Sequence, residues 1–280
     1  MKVQRDVRRA GKFFRFFGFV SSILLPLGGT PSAADLAVVI DDVGYSIEKG
    51  SRAINLPGRV TLGILPFAPH TQDLARYAMR RKQDVIVHQP MEPHPGPHVR
   101  KEHGTLTLHM PPQQFAATLA AALDAVPESI GVSNHTGSLL TQHRAPMEHL
   151  MREIERRGLF FLDSRTTAET IALEVAREHG IPALRRDVFL DHHKTPAAIH
   201  ASFELALSVA RQQGYAVIIA HPYEMSLDYL ERRLANLPAD ISLVRAADLA
   251  RLPDTTATTT RPAVLAQKQG PASLHISPGQ

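Results

Sequence analysis

Short apolar runs alternate with longer amphipathic stretches along most of the chain, which indicates strands alternating with helices. Apolar runs of strand length occupy residues 36–40, 60–67, 84–87, 130–133, 159–162, 183–190, 215–220 and 241–244. Helical spacing occurs between them, at residues 69–81, 111–126, 145–157, 167–179, 196–213 and 227–235. Because continuous apolar strands between helices are typical of βαβ units, the pattern predicts an α/β fold with a largely parallel sheet. About eight such strands favour a barrel or a distorted barrel over a small open sheet.

Most of the apolar runs end at a residue that can bind a metal or move a proton. These residues are Asp41, Asp42, His88, His135, Asp163, Asp191 and His221. The carboxyl ends of the strands of a parallel barrel converge on one face, where active sites lie. Polar residues scattered by chance would not fall repeatedly at this position. The sequence therefore predicts a functional site on that face.

Two of these positions pair residues that suit metal or acid–base chemistry. Adjacent carboxylates at a strand end point to different sides, so one of Asp41 and Asp42 can bind a metal while the other acts as a base. Alternatively, the side chain of one of these aspartates caps the turn that follows the strand. His88 and Glu92 flank Pro90, which excludes a regular helix and predicts that a loop presents them. Imidazole and carboxylate suit a zinc-type ion. The alternative is a structural histidine and a surface glutamate.

The remaining candidates follow later strands of the pattern. His135 can be a metal ligand, and Asn134 can orient a neighbour or a bound oxygen, although both residues also suit a simple turn. His221 can donate a proton to a leaving group, or it is a buried histidine that bonds its neighbours. Asp163 and Asp191 can orient a histidine, bind substrate or form an ion pair.

The first 34 residues have the layout of a secretory signal peptide. Residues 1–15 are basic, residues 16–27 are apolar, and Ser32, Ala33 and Ala34 offer small side chains for cleavage. We therefore expect residues 1–34 to direct export, to the periplasm. The apolar run is shorter than the roughly 20 residues that cross a bilayer, so membrane contact is expected only through an uncleaved leader.

Charge and composition narrow the function further. The chain has 31 basic and 27 acidic side chains; six of the basic and one of the acidic ones lie in residues 1–34, so the remainder carries a net charge of −1. No nucleic-acid partner is expected. The absence of cysteine excludes disulfides, thiolate metal sites and cysteine nucleophiles. Residues 253–280 are rich in Thr, Pro, Ala and Gln and predict a disordered tail after a domain at residues 35–252.

Five motifs, taken in order, resemble the divergent polysaccharide deacetylase family. They are VIDDVG at residues 39–44, HQPMEP at 88–93, SNHTGS at 133–138, FLDSRT at 161–166 and AHPY at 220–223. The resemblance covers about residues 36–252. It implies a NodB-like fold, which is a distorted (β/α) barrel of about seven strands. It also implies an exported, metal-dependent enzyme that deacetylates an N-acetylated envelope polysaccharide.

The resemblance also implies roles for individual residues. Asp41 would be the base, Asp42 a metal ligand and His221 the general acid. NodB-type enzymes continue with two histidine ligands spaced four apart. The matching pair here is His88 and Glu92, and His135 is expected to fill the gap from the next strand. The implied cofactor is a divalent metal ion, for which we expect zinc. The Arg-Pro-Pro-Tyr element of those enzymes is absent.

The altered ligand set keeps other functions open. One alternative is a catalytically degenerate barrel that binds glycan or an envelope protein. Another is a glycoside hydrolase with Asp41 and Asp163 as its paired carboxylates, which would not need His88 or His135. Replacing Asp41 by Asn separates an enzyme from a binder, because an enzyme loses activity and keeps its metal.

Overall fold

A computed structural model describes residues 33–96 and 102–251, and the predicted signal peptide and tail lie almost wholly outside these residues. The strands are β1 (Ala34–Val43), β2 (Thr61–Ile64), β3 (Asp84–Met91), β4 (Gly131–Thr136), β5 (Phe160–Asp163), β6 (Ala183–Arg185), β7 (Val188–Phe189), β8 (Tyr215–Ala220) and β9 (Ile241–Val244). The helices are α1 (Ile47–Ile54), α2 (Thr71–Arg80), α3 (Pro112–Ala125), α4 (Arg144–Arg156), α5 (Ala172–Glu178), α6 (Pro196–Gln213), α7 (Glu224–Leu234) and α8 (Ala246–Ala250). None of these helices is long and apolar enough to cross a membrane.

The strands form one parallel sheet that curls into a distorted barrel. Its order is β6-β5-β4-β3-β2-β1-β8-β7, and β9 pairs with the first residues of β1. β6 and β7 lie at opposite edges, yet only Arg186 and Asp187 separate them along the chain. The Arg186 N–H donates to Asp163 O and the Asp187 N–H donates to Val217 O, both at 2.9 Å. Arg186 and Asp187 therefore form hydrogen bonds at both edges of the sheet. The predicted α/β fold with a distorted barrel is confirmed.

Strands of this sheet are buried on both faces, as the continuous apolar runs predict. In β1, Leu36, Val38 and Ile40 pack into the large core beneath the helices. Ala37 and Val39, on the other face, belong to an inner cluster that α8 also joins. All five side chains are at most 1% exposed. The strand ends are thus held by packing on two sides, which is what a site built on them needs.

Two local predictions were wrong, and two short helices, α1 and α8, were missed. The apolar run at residues 183–190 is two strands rather than one, because Arg186 and Asp187 cross between the sheet edges. β3 continues through Pro90 to Met91, so His88 lies on a strand and not in a loop. α1 was not predicted, since it has eight residues and contains Gly50. A Cβ on Gly50 would lie 2.6 Å from Leu74 Cδ1, so the glycine lets α1 approach α2 closely.

Candidate metal centre

A bulge near the end of β1 places the two neighbouring carboxylates. Ile40 pairs with Leu62 and Val43 pairs with Ile64, so β1 advances three residues while β2 advances two. Asp42 sits at the bulge with φ +58°, a left-handed backbone conformation that few residues adopt. As a result the carboxylates reach the two different nitrogens of one imidazole. Asp41 Oδ1 lies 3.5 Å from His88 Nδ1, and Asp42 Oδ1 lies 3.2 Å from His88 Nε2.

The carboxylate of Asp41 occupies a space that a glycine on the next strand leaves open. A Cβ on Gly63 would lie only 2.1 Å from Asp41 Oδ1. Asp41 is 1% exposed, and among the described residues no donor is aligned to bond its Oδ1. Burial raises the pKa of this carboxyl. An ionisable group with a raised pKa and an unbonded oxygen is a feature of functional sites.

Asp42, His88 and His135 form a group with the composition of a metal site. Each offers one ligand atom, and these atoms lie within 4.8 Å of one another. Asp42 Oδ1 is 2.8 Å from His135 Nδ1, in addition to its contact with His88. Although this oxygen is buried, no described donor has hydrogen-bond alignment with it. Two imidazoles and a carboxylate are ligands that zinc-type ions take, and a buried oxygen with no aligned donor among the described residues, beside two imidazole nitrogens, is where an ion would bind. The residues therefore fit a metal.

Charge–charge interactions within the group are strong. Burial raises the pKa of Asp42, but the imidazoles of His135 and His221 outweigh it and hold that pKa well below its usual value. Burial lowers the pKa of His135, and the carboxylates of Asp42 and Glu102 outweigh it in turn and raise that pKa to about 10. The protein thus concentrates opposite charges in a buried volume, an arrangement in which binding a cation displaces protons.

A second acid–base pair lies beside this group. His221 follows β8, and its Nδ1 lies 2.9 Å from Asp191 Oδ1. The backbone N–H of His221 and the Ser226 hydroxyl both donate to Asp191 Oδ2 at 2.7 Å, which fixes the carboxylate. His221 Nε2 faces the metal group, 3.7 Å from Asp42 Oδ2. Burial lowers the pKa of His221, but Asp191 and Asp42 outweigh it and raise that pKa to about 9.

Comparison with known proteins identifies the lineage. Residues 38–250 match the divergent polysaccharide deacetylase family. The chain belongs to this family. It is 34% identical over 230 residues to the uncharacterized protein YibQ of Escherichia coli K12, covering 82% of this chain and 72% of that protein. An uncharacterized protein of Haemophilus influenzae is 34% identical over 243 residues, covering 87% of this chain and 85% of that one.

A solved structure supports the same fold. An uncharacterized protein of Agrobacterium tumefaciens C58 is 26% identical and superposes with a TM-score of 0.72. The match covers 80% of this chain and 92% of that protein. The fold of that protein is therefore shared by most of this chain.

Two predicted supporting residues of this family member are used to fasten strand ends. The amide oxygen of Asn134 accepts from the Ser164 N–H at 2.8 Å, which ties the end of β4 to the end of β5. The oxygens of Asp163 accept from the Arg165 N–H at 2.8 Å and the Thr170 hydroxyl at 3.0 Å. These two hydrogen bonds hold the Asp163 carboxylate at the end of β5.

Glu92, the counterpart of a second histidine ligand, lies just beyond β3 and outside the group of metal-ligating atoms. Its Oε2 accepts from the Leu108 N–H at 2.7 Å, so its carboxylate organises the connection between β3 and α3. In its place, His135 on β4 supplies the second imidazole. The register explains this exchange, because Pro90 on β3 pairs with His135 while His88 pairs with Ser133.

Three site residues were not foreseen in the sequence: Gly63, Ser133 and Glu102. Ser133 Oγ lies 2.7 Å from His88 Nδ1, and Glu102 Oε1 lies 3.3 Å from His135 Nε2. Ser133 belongs to the quoted SNHTGS motif, so only its partner was unknown. Gly63 and Glu102 carry no local signal, because one acts by lacking a side chain and the other lies in a connection without strand or helix periodicity.

Aromatic side chains border the site next to His221. The ring of Phe189 is 5.1 Å from that of His221, and the ring of Tyr223 is 5.6 Å from it. Lys194 Nζ lies 3.8 Å from the centre of the Tyr223 ring, within the range of a cation–π contact. His192 is half-buried, and its ring lies 5.8 Å from that of Phe189.

Proposed function

We propose that the chain is an exported, metal-dependent deacetylase that removes acetyl groups from an N-acetylated envelope polysaccharide. The observation that carries this proposal is the arrangement around Asp42 Oδ1. That buried oxygen lies between two imidazole nitrogens, 3.2 Å from His88 Nε2 and 2.8 Å from His135 Nδ1, as a metal ligand would. A free carboxylate and a histidine that can act as an acid stand beside the same group.

Asp42, His88 and His135 would hold the ion, for which zinc is our choice on the basis of this ligand set. When bound, a divalent ion polarises a carbonyl and lowers the pKa of water toward about 7. The ligands come from β1, β3 and β4, whose pairing fixes their spacing.

Asp41 would take a proton from the attacking water. No described donor is aligned to bond its Oδ1, and burial raises the pKa of the carboxyl, which favours its acting as a proton acceptor. Its distance of 3.5 Å from His88 Nδ1 places it against the ligand ring without occupying a ligand position. The two adjacent aspartates would thereby divide the tasks of base and ligand.

His221 would return a proton to the departing amine of the sugar. Against the lowering effect of burial, the Asp191 carboxylate raises the pKa of His221 and so favours the protonated imidazole, the state that a general acid needs. Asp191 engages Nδ1, so Nε2 is the nitrogen that faces the site. Asp191 is therefore a positioning residue for this acid.

Export of the enzyme is supported by residues 1–34, which combine a basic stretch, an apolar stretch and small residues. An exported enzyme of this family meets its substrate in the cell envelope. Acetamido sugars are the substrate class that the family resemblance supports, and the aromatic side chains next to His221 offer surfaces on which sugar rings can pack.

The test is acetate release from N-acetylated glycans, with chitin oligosaccharides and peptidoglycan as substrates and Zn²⁺ supplied. We expect the wild-type chain to release acetate and Asp41→Asn to lose about 10²- to 10⁴-fold of that rate, the usual contribution of a general base. Asp41→Asn should retain its metal. Asp73→Asn, an exposed change on α2, is the matched control and should leave the rate unchanged.

Acetate release at the normal rate by a fully metal-free protein would contradict the proposal, because the reaction would then need no metal site. Failure of the zinc-loaded wild type to release acetate from either glycan would instead favour the degenerate barrel that only binds glycan or protein. In that case Asp41→Asn should leave glycan binding nearly unchanged.

A further inference from the structure

Each histidine of the site has its outward nitrogen engaged by another side chain. His88 Nδ1 contacts Ser133 Oγ at 2.7 Å, and His221 Nδ1 contacts Asp191 Oδ1 at 2.9 Å. His135 Nε2 contacts Glu102 Oε1 at 3.3 Å. In all three rings the other nitrogen faces Asp42. Ser133 lies on β4 and Asp191 lies two residues after β7, but Glu102 comes from the connection between β3 and α3.

The backbone around Glu102 is fastened to the barrel. Glu102 O accepts from the Thr105 hydroxyl at 2.6 Å and from the Thr105 N–H at 3.2 Å. The Leu106 N–H donates to Pro90 O at 2.9 Å, and Leu106 is fully buried. The Gln89 amide donates to Gly104 O at 2.9 Å. Residues 102–106 are therefore anchored along β3, so the Glu102 carboxylate reaches His135 from a supported position.

The contact has the geometry of an outer-shell interaction and not of a ligand. Glu102 meets Nε2 of His135, whereas Nδ1 of the same ring faces Asp42 at 2.8 Å. A carboxylate on the far nitrogen of a ligating histidine fixes the tautomer and orientation of the ring and raises its basicity toward a metal. The side chain of Glu102 is 25% exposed and that of His135 is 9% exposed, so water competes only partly for the contact.

We propose that Glu102 is the positioning residue for His135: its carboxylate accepts the Nε2–H and leaves Nδ1 free to ligate the ion. This inference rests on the metal site of the proposed function. It assigns to the β3–α3 connection a part in assembling the site, which neither strand-end position nor the motifs of the sequence indicates. Glu102 would contact no reacting atom.

The test compares Glu102→Ala and Glu102→Gln in the full chain, with Glu48→Ala, an exposed acid on α1, as the matched control. Zn²⁺ affinity is measured by competition with a chromophoric chelator. We expect Glu102→Ala to weaken binding about 10- to 100-fold, the usual effect of losing an outer-shell partner. Glu102→Gln keeps an acceptor oxygen and should recover most of the affinity, while Glu48→Ala should bind as the wild type does.

A second readout does not depend on the ion. Imidazole ¹⁵N NMR of the metal-free protein reports the state of each ring nitrogen, and Glu102→Ala should shift the Nε2 signal of His135 while leaving that of His200, an exposed residue on α6, in place. Unchanged Zn²⁺ affinity together with an unshifted His135 signal in Glu102→Ala would overturn the assignment.

The two proposals fail in different ways. If the wild type binds no Zn²⁺, the proposed function falls, and an unshifted His135 signal in Glu102→Ala then overturns the role of Glu102 as well. If Glu102→Ala weakens Zn²⁺ binding but the wild type releases no acetate, Glu102 positions a metal site that is not a deacetylase centre. Normal Zn²⁺ affinity together with an unshifted His135 signal in Glu102→Ala, alongside acetate release by the wild type, overturns the role of Glu102 and leaves the proposed enzyme in place.

Discussion

At the scale of residues, the site depends on the space left by a glycine as well as on its charged side chains. Gly63 on β2 leaves the volume in which the Asp41 carboxylate lies, and a Cβ there would lie 3.2 Å from Asp41 Cα as well as 2.1 Å from Oδ1. Because part of the clash is with backbone, rotation of the carboxylate alone does not relieve it. Asp41 and Gly63 on the next strand are therefore coupled sterically.

Gly63→Ala should displace Asp41 and reduce acetate release by about 100-fold, since a shift of about 1 Å in a catalytic group has effects of this size. Overpacking should also lower the free energy of unfolding by about 1–3 kcal/mol. Gly158→Ala is the control, because no described atom lies within 4 Å of its Cβ position and only the strain of φ +66° is added. Full activity in Gly63→Ala would show that Asp41 does not need its present position.

Much of the site was foreseeable from the sequence because strand ends are easy to recognise. Apolar runs followed directly by Asp or His led to Asp41, Asp42, His88, His135 and His221, which the structure brings together. The partner of His135 could not be found in this way. Glu102 is distant from His135 in sequence, and only the folding of residues 102–106 along β3 connects the two.

At the scale of elements, most boundaries follow from apolar periodicity and capping residues. α6 illustrates this: Thr195 precedes the helix, Pro196 begins it, and Gly214 ends it at φ +90°. Its predicted range of residues 196–213 is the observed one. The wrong predictions lie where contacts with distant residues, and not the local sequence, determine where a strand begins or ends. The Arg186 guanidinium, for example, donates to the carbonyls of Ser164 and Arg165 at 2.7 Å and so stabilises a crossing that no local pattern reveals.

The N-cap of α6 gives a direct test at this scale. Thr195 Oγ1 accepts from the Ala198 N–H at 3.3 Å. Thr195→Ala should lower the free energy of unfolding by about 0.5–2 kcal/mol, measured by urea denaturation. Thr195→Ser keeps the acceptor and should restore most of that stability. Equal stability of the two variants would contradict the cap. Neither change should alter Zn²⁺ affinity, because Thr195 contacts none of the ligands.

At the scale of the whole molecule, a curled parallel sheet brings distant parts of the chain to one face. Residues from position 41 to position 221 meet there because every strand of the sheet runs in the same direction. This convergence was predictable, since it follows from the alternation of strands and helices. The link between the two edge strands was not predictable, because it consists of only two residues, Arg186 and Asp187, between β6 and β7.

The central claim is that this face binds one divalent metal ion through Asp42, His88 and His135. The most direct measurement is the Zn²⁺ content and titration of the purified full chain, prepared without chelators, beside His88→Ala and His135→Ala. His200→Ala, on the exposed side of α6, serves as the control. We expect about one ion per chain in the wild type and the control, and none in the two ligand variants. A wild-type chain that carries no metal and takes up none on titration would contradict the central claim.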